Sequence, residues 1–237
     1  MAAASLLARL AESPERTALL LDVDGTLAPI VERPEDARVP DETRAELRRL
    51  AARYALVACI SGRTGADAAR IVGVDGILYV GEHGLELAPE AREWADRLHA
   101  FADAAEWPAE RKELSLAFHY RTAQDRAAAA ATLERLAERA IAEGFRPRWG
   151  RLVLELRPPL DVDKGTAVRR LLDEAGLRRA LYAGDDTTDL DAFAALDGIA
   201  LAVRVAVASD ESPPALRAAA DVVVRDTNEL LDLLRRL

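Results

Sequence analysis

The chain predicts an α/β fold: a parallel sheet covered on both faces, interrupted by an α+β insert. Three observations point there. Short uninterrupted apolar runs, such as Tyr54-Ala55-Leu56-Val57-Ala58-Cys59-Ile60, alternate with helical segments, which is how strands buried on both faces read. From about residue 90 to 158 the pattern changes to period-two alternation, which marks sheets with one packed and one open face. Polar clusters stand where the apolar runs end, and open α/β sheets bind ligands outside the carboxyl ends of their strands.

Taken in order, the first half predicts a helix over 3–12, a strand over 17–22, a helix over 40–52, a strand over 55–60, a helix over 64–71 and a strand over 77–81. The insert reads as a long helix, a strand from Arg111 to Tyr120 and an Ala-rich helix over 123–142. Two further strands follow, Phe145–Trp149 and Arg151–Arg157, with Gly150 between them. Leu114, Leu116, Phe118 and Tyr120 alternate with Glu113, Ser115, Ala117 and His119, and Leu152, Leu154 and Leu156 alternate with Val153, Glu155 and Arg157. The α/β pattern resumes with a helix over 164–176, a strand over 179–183, a helix over 188–196, strands over 199–203 and 221–224, and a helix over 227–236. Pro89 and Pro158-Pro159 bound the insert, which gives a core of 1–88 with 159–237 and an inserted domain of 89–158.

Composition narrows the function. The 237 residues are 50% hydrophobic and 31% charged, as expected of a soluble globular enzyme. A net charge of −9 without any basic run disfavours a nucleic-acid partner. No stretch is long and apolar enough for a membrane span, and the start lacks a basic leader. Cys59 is the single cysteine, so no internal disulfide forms and a cytoplasmic monomer is expected. Of the 32 basic residues only Lys112 and Lys164 are lysine. An ammonium is a compact point charge and a guanidinium a planar fork, so lysine is kept where the space around a phosphate is tight.

Four clusters carry the chemistry. Asp22-Val23-Asp24-Gly25-Thr26 closes the first apolar run. Two carboxylates that close need a cation or a shared proton, which suggests a metal site, an acid/base pair, or both. Ser61-Gly62-Arg63 follows the strand ending at Ile60. A hydroxyl and backbone amides there can hold phosphate oxygens or simply cap the helix. Asp163-Lys164-Gly165-Thr166 opens the helix after the insert. In Gly184-Asp185-Asp186-Thr187-Thr188-Asp189, three carboxylates in five positions exceed what capping requires. A Mg²⁺ site with oxygen ligands accounts for them.

In this order and around an insert, the clusters resemble the four motifs of the haloacid dehalogenase superfamily of phosphatases, over the whole chain. The resemblance implies a Rossmann-like core with a cap of the C2B type. It also implies that Asp22 attacks phosphorus while Asp24 protonates the leaving alkoxide and then activates water. Asp22, the backbone carbonyl of Asp24 and Asp185 would hold Mg²⁺, with Asp186 and Asp189 supporting through water. Ser61, Gly62 and Lys164 would bind the phosphoryl group.

Within the insert, Glu110-Arg111-Lys112, Ser115 and His119-Tyr120-Arg121 are similar to trehalose-6-phosphate phosphatases. Gly81-Glu82-His83-Gly84 and Val153-Leu154-Glu155-Leu156-Arg157-Pro158 are similar as well. This implies hydrolysis of trehalose 6-phosphate, the last step of trehalose biosynthesis, with Lys112 and Glu155 on the sugar hydroxyls and His119, Arg121 and His83 nearby. Lys112 shares the parity of Leu114, so it fits that role only if the strand begins late or bulges. The family's last motif continues with glutamate where this chain has Leu190, followed by Asp191. Phosphatases with the same cap acting on mannosylglycerate phosphate or sucrose phosphate are the nearest alternative. A receiver-type signalling module is about half this length.

Overall fold

A computed structural model describes residues 3–150, 152–208 and 212–237. Its first elements are α1 (Ala3–Ala11), β1 (Ala18–Leu21), α2 (Asp41–Ala51), β2 (Leu56–Ile60), α3 (Gly65–Val72) and β3 (Leu78–Val80). Next come α4 (Ala95–Asp103), β4 (Glu110–Arg111), β5 (Leu116–His119), α5 (Arg126–Ala142), β6 (Arg146–Gly150) and β7 (Val153–Arg157). The chain closes with α6 (Lys164–Glu174), β8 (Arg179–Gly184), α7 (Asp189–Ala195), β9 (Leu201–Val207), α8 (Pro214–Ala219), β10 (Val222–Val224) and α9 (Thr227–Leu234).

Two compact units result. The first reaches to Gly84 and resumes at Val162, and the second is Leu85–Asp161. In the first, six strands among the described residues form a parallel sheet in the order β10-β9-β8-β1-β2-β3. β1 is Ala-Leu-Leu-Leu and wholly buried, as a central strand with helices on both faces requires. β2 and β8 flank it, so the strand order reverses direction at β1, and a crevice opens at such a switch point. Side chains cap some of the helices: the Thr64 side chain accepts from the Asp67 N–H at α3, and Asp226 accepts from two N–H groups at α9.

The second unit is an antiparallel sheet in the order β4-β5-β7-β6. Leu116, Phe118, Leu154 and Leu156 pack on Leu98, Phe101, Leu133 and Leu136 from α4 and α5. Among the described residues no helix is long and apolar enough to cross a membrane.

Five local expectations need correction. The strand expected over Arg111–Tyr120 is a hairpin, β4 and β5, closed by a turn in which the Lys112 N–H donates to the Ser115 carbonyl at 3.1 Å. Alternation reports which face a side chain takes but not where the chain reverses, and no Gly or Pro marks this turn. The long helix from residue 90 is a 3₁₀ segment, Pro89–Trp94, followed by the nine-residue α4. The strand expected over 199–203 is β9, Leu201–Val207, carried onward by Val203, Val205 and Val207. The polar face of the insert's sheet is not open throughout, since Ser115, Glu155 and Arg157 are buried. Period-two alternation separates two faces without saying how deeply either is covered. In the segment expected over Arg151–Arg157, Arg151 lies outside the described residues and the strand begins at Val153.

Candidate active site

Leu21 is in register with Cys59 of β2 and Ala183 of β8, so three strands end at one level. Asp22, Ser61 and Asp185 are the residues that leave those ends. The Asp22 N–H still donates to the Ala183 carbonyl at 2.9 Å, which fixes its main chain before the turn. The turn depends on Gly25, whose φ is +82° and where a Cβ would lie 2.1 Å from Asp185 Oδ2. Only glycine allows both that dihedral and that approach.

Lys164 is the first residue of α6, held there by a capping box between Asp163 and Thr166. From that position its Nζ donates to Asp22 Oδ1 at 2.6 Å and to Asp189 Oδ1 at 2.8 Å. Asp189 has no solvent exposure and both its oxygens are filled. Oδ1 also accepts the Tyr182 hydroxyl at 2.7 Å, and Oδ2 accepts the N–H groups of Asp185 and Asp186 at 2.9 Å each. Asp189 thus ties Lys164 to the loop that carries Asp185. The Asp186 N–H donates to Asp189, while its side chain is exposed and accepts the Thr187 hydroxyl at 3.1 Å.

One oxygen each from Asp22, Asp185 and Asp189 lies within 4.8 Å of the others. An all-oxygen carboxylate set of this kind suits a hard divalent cation. Burial raises Asp22 to about 7 against the opposing pull of Lys164, and burial together with the charges of Asp22 and Asp189 raises Asp185 to about 9. Burial alone would lower Lys164, but Asp189 and Asp22 outweigh it and keep the ammonium charged. Three carboxylates share one buried cation, so the cluster is short of positive charge.

Asp24 is bound by Arg63. Its carboxylate takes a two-pronged bond, Nε to Oδ2 at 2.6 Å and Nη2 to Oδ1 at 2.8 Å. Ser61 is buried and its Oγ accepts from the Arg63 N–H at 3.2 Å. The His83 ring lies over Gly62, where a Cβ would stand 2.7 Å from two ring atoms.

The model of the trehalose-phosphatase family matches residues 20–228, a span containing every one of these side chains. The chain belongs to that family. The trehalose-phosphate phosphatase of Mycobacterium marinum is 37% identical over 229 residues, covering 85% of this chain and 57% of its own length. An uncharacterized glycosyl hydrolase of Mycobacterium tuberculosis is 39% identical over 220 residues, covering 80% of this chain and 16% of its own. The chain thus spans about half, or less, of the relatives it matches. In fold it is similar to the C-terminal domain of the C. albicans trehalose-6-phosphate phosphatase, with a TM-score of 0.75 at 23% identity over 98% of this chain and 95% of that one.

Of the other residues singled out by resemblance to the trehalose-phosphatase family, two in the insert meet. Lys112 Nζ lies 3.5 Å from Glu155 Oε1, with both side chains largely buried. His119 is exposed and shares a hydrogen bond of 2.7 Å with Glu110. Arg121 is exposed in the turn after β5, where its carbonyl accepts from Arg126. His83 belongs to the core unit and not to the insert. Leu190 and Asp191 stand in the first turn of α7. Two residues of the site escaped sequence reasoning, Tyr182 and Arg63 as the partner of Asp24. Tyr182 left a signal, since a phenol inside the apolar run Ala180–Ala183 needs a buried partner. Arg63 left none, being one arginine among thirty.

Proposed function

We propose that this protein is a Mg²⁺-dependent phosphatase that converts trehalose 6-phosphate to trehalose and phosphate through an aspartyl-phosphate. The observation that carries this reading is Lys164 bridging Asp22 at the end of β1 and Asp189 at the start of α7, in a chain of the trehalose-phosphatase family. In the first step Asp22 Oδ bonds to phosphorus, the bond from phosphorus to the sugar oxygen breaks, and Asp24 gives that oxygen its proton. In the second, water attacks phosphorus and loses a proton to Asp24, the bond to Asp22 breaks, and inorganic phosphate leaves.

A carboxylate approaches a phosphate monoester against like charge, so cationic neutralisation is the main requirement. Lys164 provides part of it at the attacking residue, and Ser61 and the amides of the Gly62 loop hold the equatorial oxygens. Asp22, Asp185 and the Asp24 carbonyl would hold Mg²⁺, with Asp189 behind them. The ion, when bound, neutralises phosphoryl oxygens. Lys112, Glu155, His119 and Arg121 of the insert, which we read as the cap, are assigned to the sugar hydroxyls together with His83.

The reading is tested by phosphate release from a panel of sugar phosphates with and without Mg²⁺. Release from trehalose 6-phosphate that requires the ion, and that disappears in a folded Asp22→Asn variant, is expected. Full activity in Asp22→Asn overturns the mechanism, and activity confined to other sugar phosphates overturns the substrate.

A further inference from the structure

We propose that Arg63 is the positioning residue for the Asp24 carboxylate and that Asp67 presets Arg63 for this task. The inference rests on the reading of Asp24 as proton donor and base. Its basis is the geometry around one guanidinium. The edge formed by Nε and Nη2 meets the two oxygens of Asp24 at 2.6 and 2.8 Å. A two-pronged bond of this kind fixes both the distance and the plane of a carboxylate. The remaining nitrogen, Nη1, donates to Asp67 Oδ2 at 3.0 Å. Asp67 is itself held, because its Oδ1 accepts Nε and Nη2 of Arg70 at 3.1 and 2.6 Å.

The main chain of Arg63 is equally constrained. Its N–H donates to Ser61 Oγ at 3.2 Å and its carbonyl accepts the Glu82 N–H at 2.7 Å. The residue is therefore anchored at its backbone and at its far nitrogen. The edge facing Asp24 uses one lone pair on each carboxylate oxygen and leaves the others to face a leaving oxygen or a water. The two bonds keep the carboxyl group in plane, and Asp67 keeps the guanidinium from turning. A lysine ammonium is a point charge and holds no plane.

A merely structural ion pair would affect every substrate alike. A device acting through Asp24 affects the step in which the leaving group needs a proton. The experiment compares Arg63→Lys, Arg63→Met and Asp67→Asn with wild type and Asp24→Asn, in Mg²⁺, on trehalose 6-phosphate and on para-nitrophenyl phosphate, whose phenolate leaves with little protonation. Thermal melts accompany each variant, and the milder Arg63→Lys and Asp67→Asn carry the comparison if Arg63→Met does not fold.

For Arg63→Met, kcat on the sugar phosphate is expected to fall about 10- to 100-fold, a fraction of the span attributed to general acid–base catalysis, with KM changed by less than about threefold. The first-turnover release of nitrophenolate is expected to fall by about threefold or less, and a burst to appear because the second step still needs Asp24. Asp24→Asn is expected to give the same pattern, enlarged. Equal losses in the first turnover of both esters, or no loss on either, overturn the role of Arg63. Wild-type protein inactive on both esters would instead overturn the phosphatase reading on which that role stands.

Discussion

The Lys164 ammonium lies 2.6 Å from Asp22 Oδ1 although 142 positions separate the two residues in the chain. With its second bond to Asp189, it is the buried cation that offsets both carboxylates. Removing one partner of a buried ion pair leaves the other charge uncompensated, which typically costs about 3–5 kcal/mol. Lys164→Met should therefore lower unfolding stability by about that amount, read from urea unfolding at neutral pH. Lys164→Arg should not restore it, since a planar fork does not fit between oxygens that accept one ammonium from two sides.

Tyr182 supports the same oxygen of Asp189 that Lys164 uses. Tyr182→Phe removes one hydrogen bond to a charged acceptor and keeps the packing of the ring against Phe193. A loss of about 1.5–3 kcal/mol in unfolding free energy is expected, measured by the same urea titration.

Gly25 decides how closely the loops after β1 and β8 meet. In Gly25→Ala the added methyl would fall on Asp185 Oδ2 at a φ of +82°. Asp185 then has to move, and the three-oxygen cluster opens. Isothermal titration should show Mg²⁺ affinity reduced at least about tenfold, which corresponds to a loss of about 1.4 kcal/mol.

The metal-free protein should lose stability as pH rises. Asp22 and Asp185 have ordinary values near 3.8 when unfolded and are raised to about 7 and about 9 in the fold, chiefly by burial. Between those limits the folded state binds more protons at these two groups than the unfolded state, so their contribution to stability is full below pH 3.8 and declines through about 7 and then about 9. Mg²⁺ binds the deprotonated cluster, so its stabilising effect should grow over the same interval. Melting temperatures with EDTA and with Mg²⁺, compared between wild type and Asp185→Asn, measure this, and the slope should flatten in the variant.

Much of the site is legible in the amino-acid sequence. Asp22, Ser61, Lys164 and Asp185 stand at strand ends or at a helix start, and those places follow from short apolar runs and capping residues that act within a few positions. The strands of the parallel sheet are legible for the same reason, β1 above all, because a strand buried on both faces has nothing but apolar side chains to show. The hairpin of β4 and β5 is not, because its turn has neither glycine nor proline to mark it.

The sequence by itself determined which residues leave the strands, since that depends on local hydrophobic period and on caps. Tertiary structure alone decided what those residues touch. Arg63 meets Asp24 only because β2 pairs with β1, and Lys164 meets Asp22 only because the chain returns after the insert, an arrangement set by packing among distant segments. Lys112 comes within 3.5 Å of Glu155 because β4 folds back on β5 and β5 pairs with β7. Pairings of this kind depend on burial summed over the whole core, a quantity that no local pattern carries.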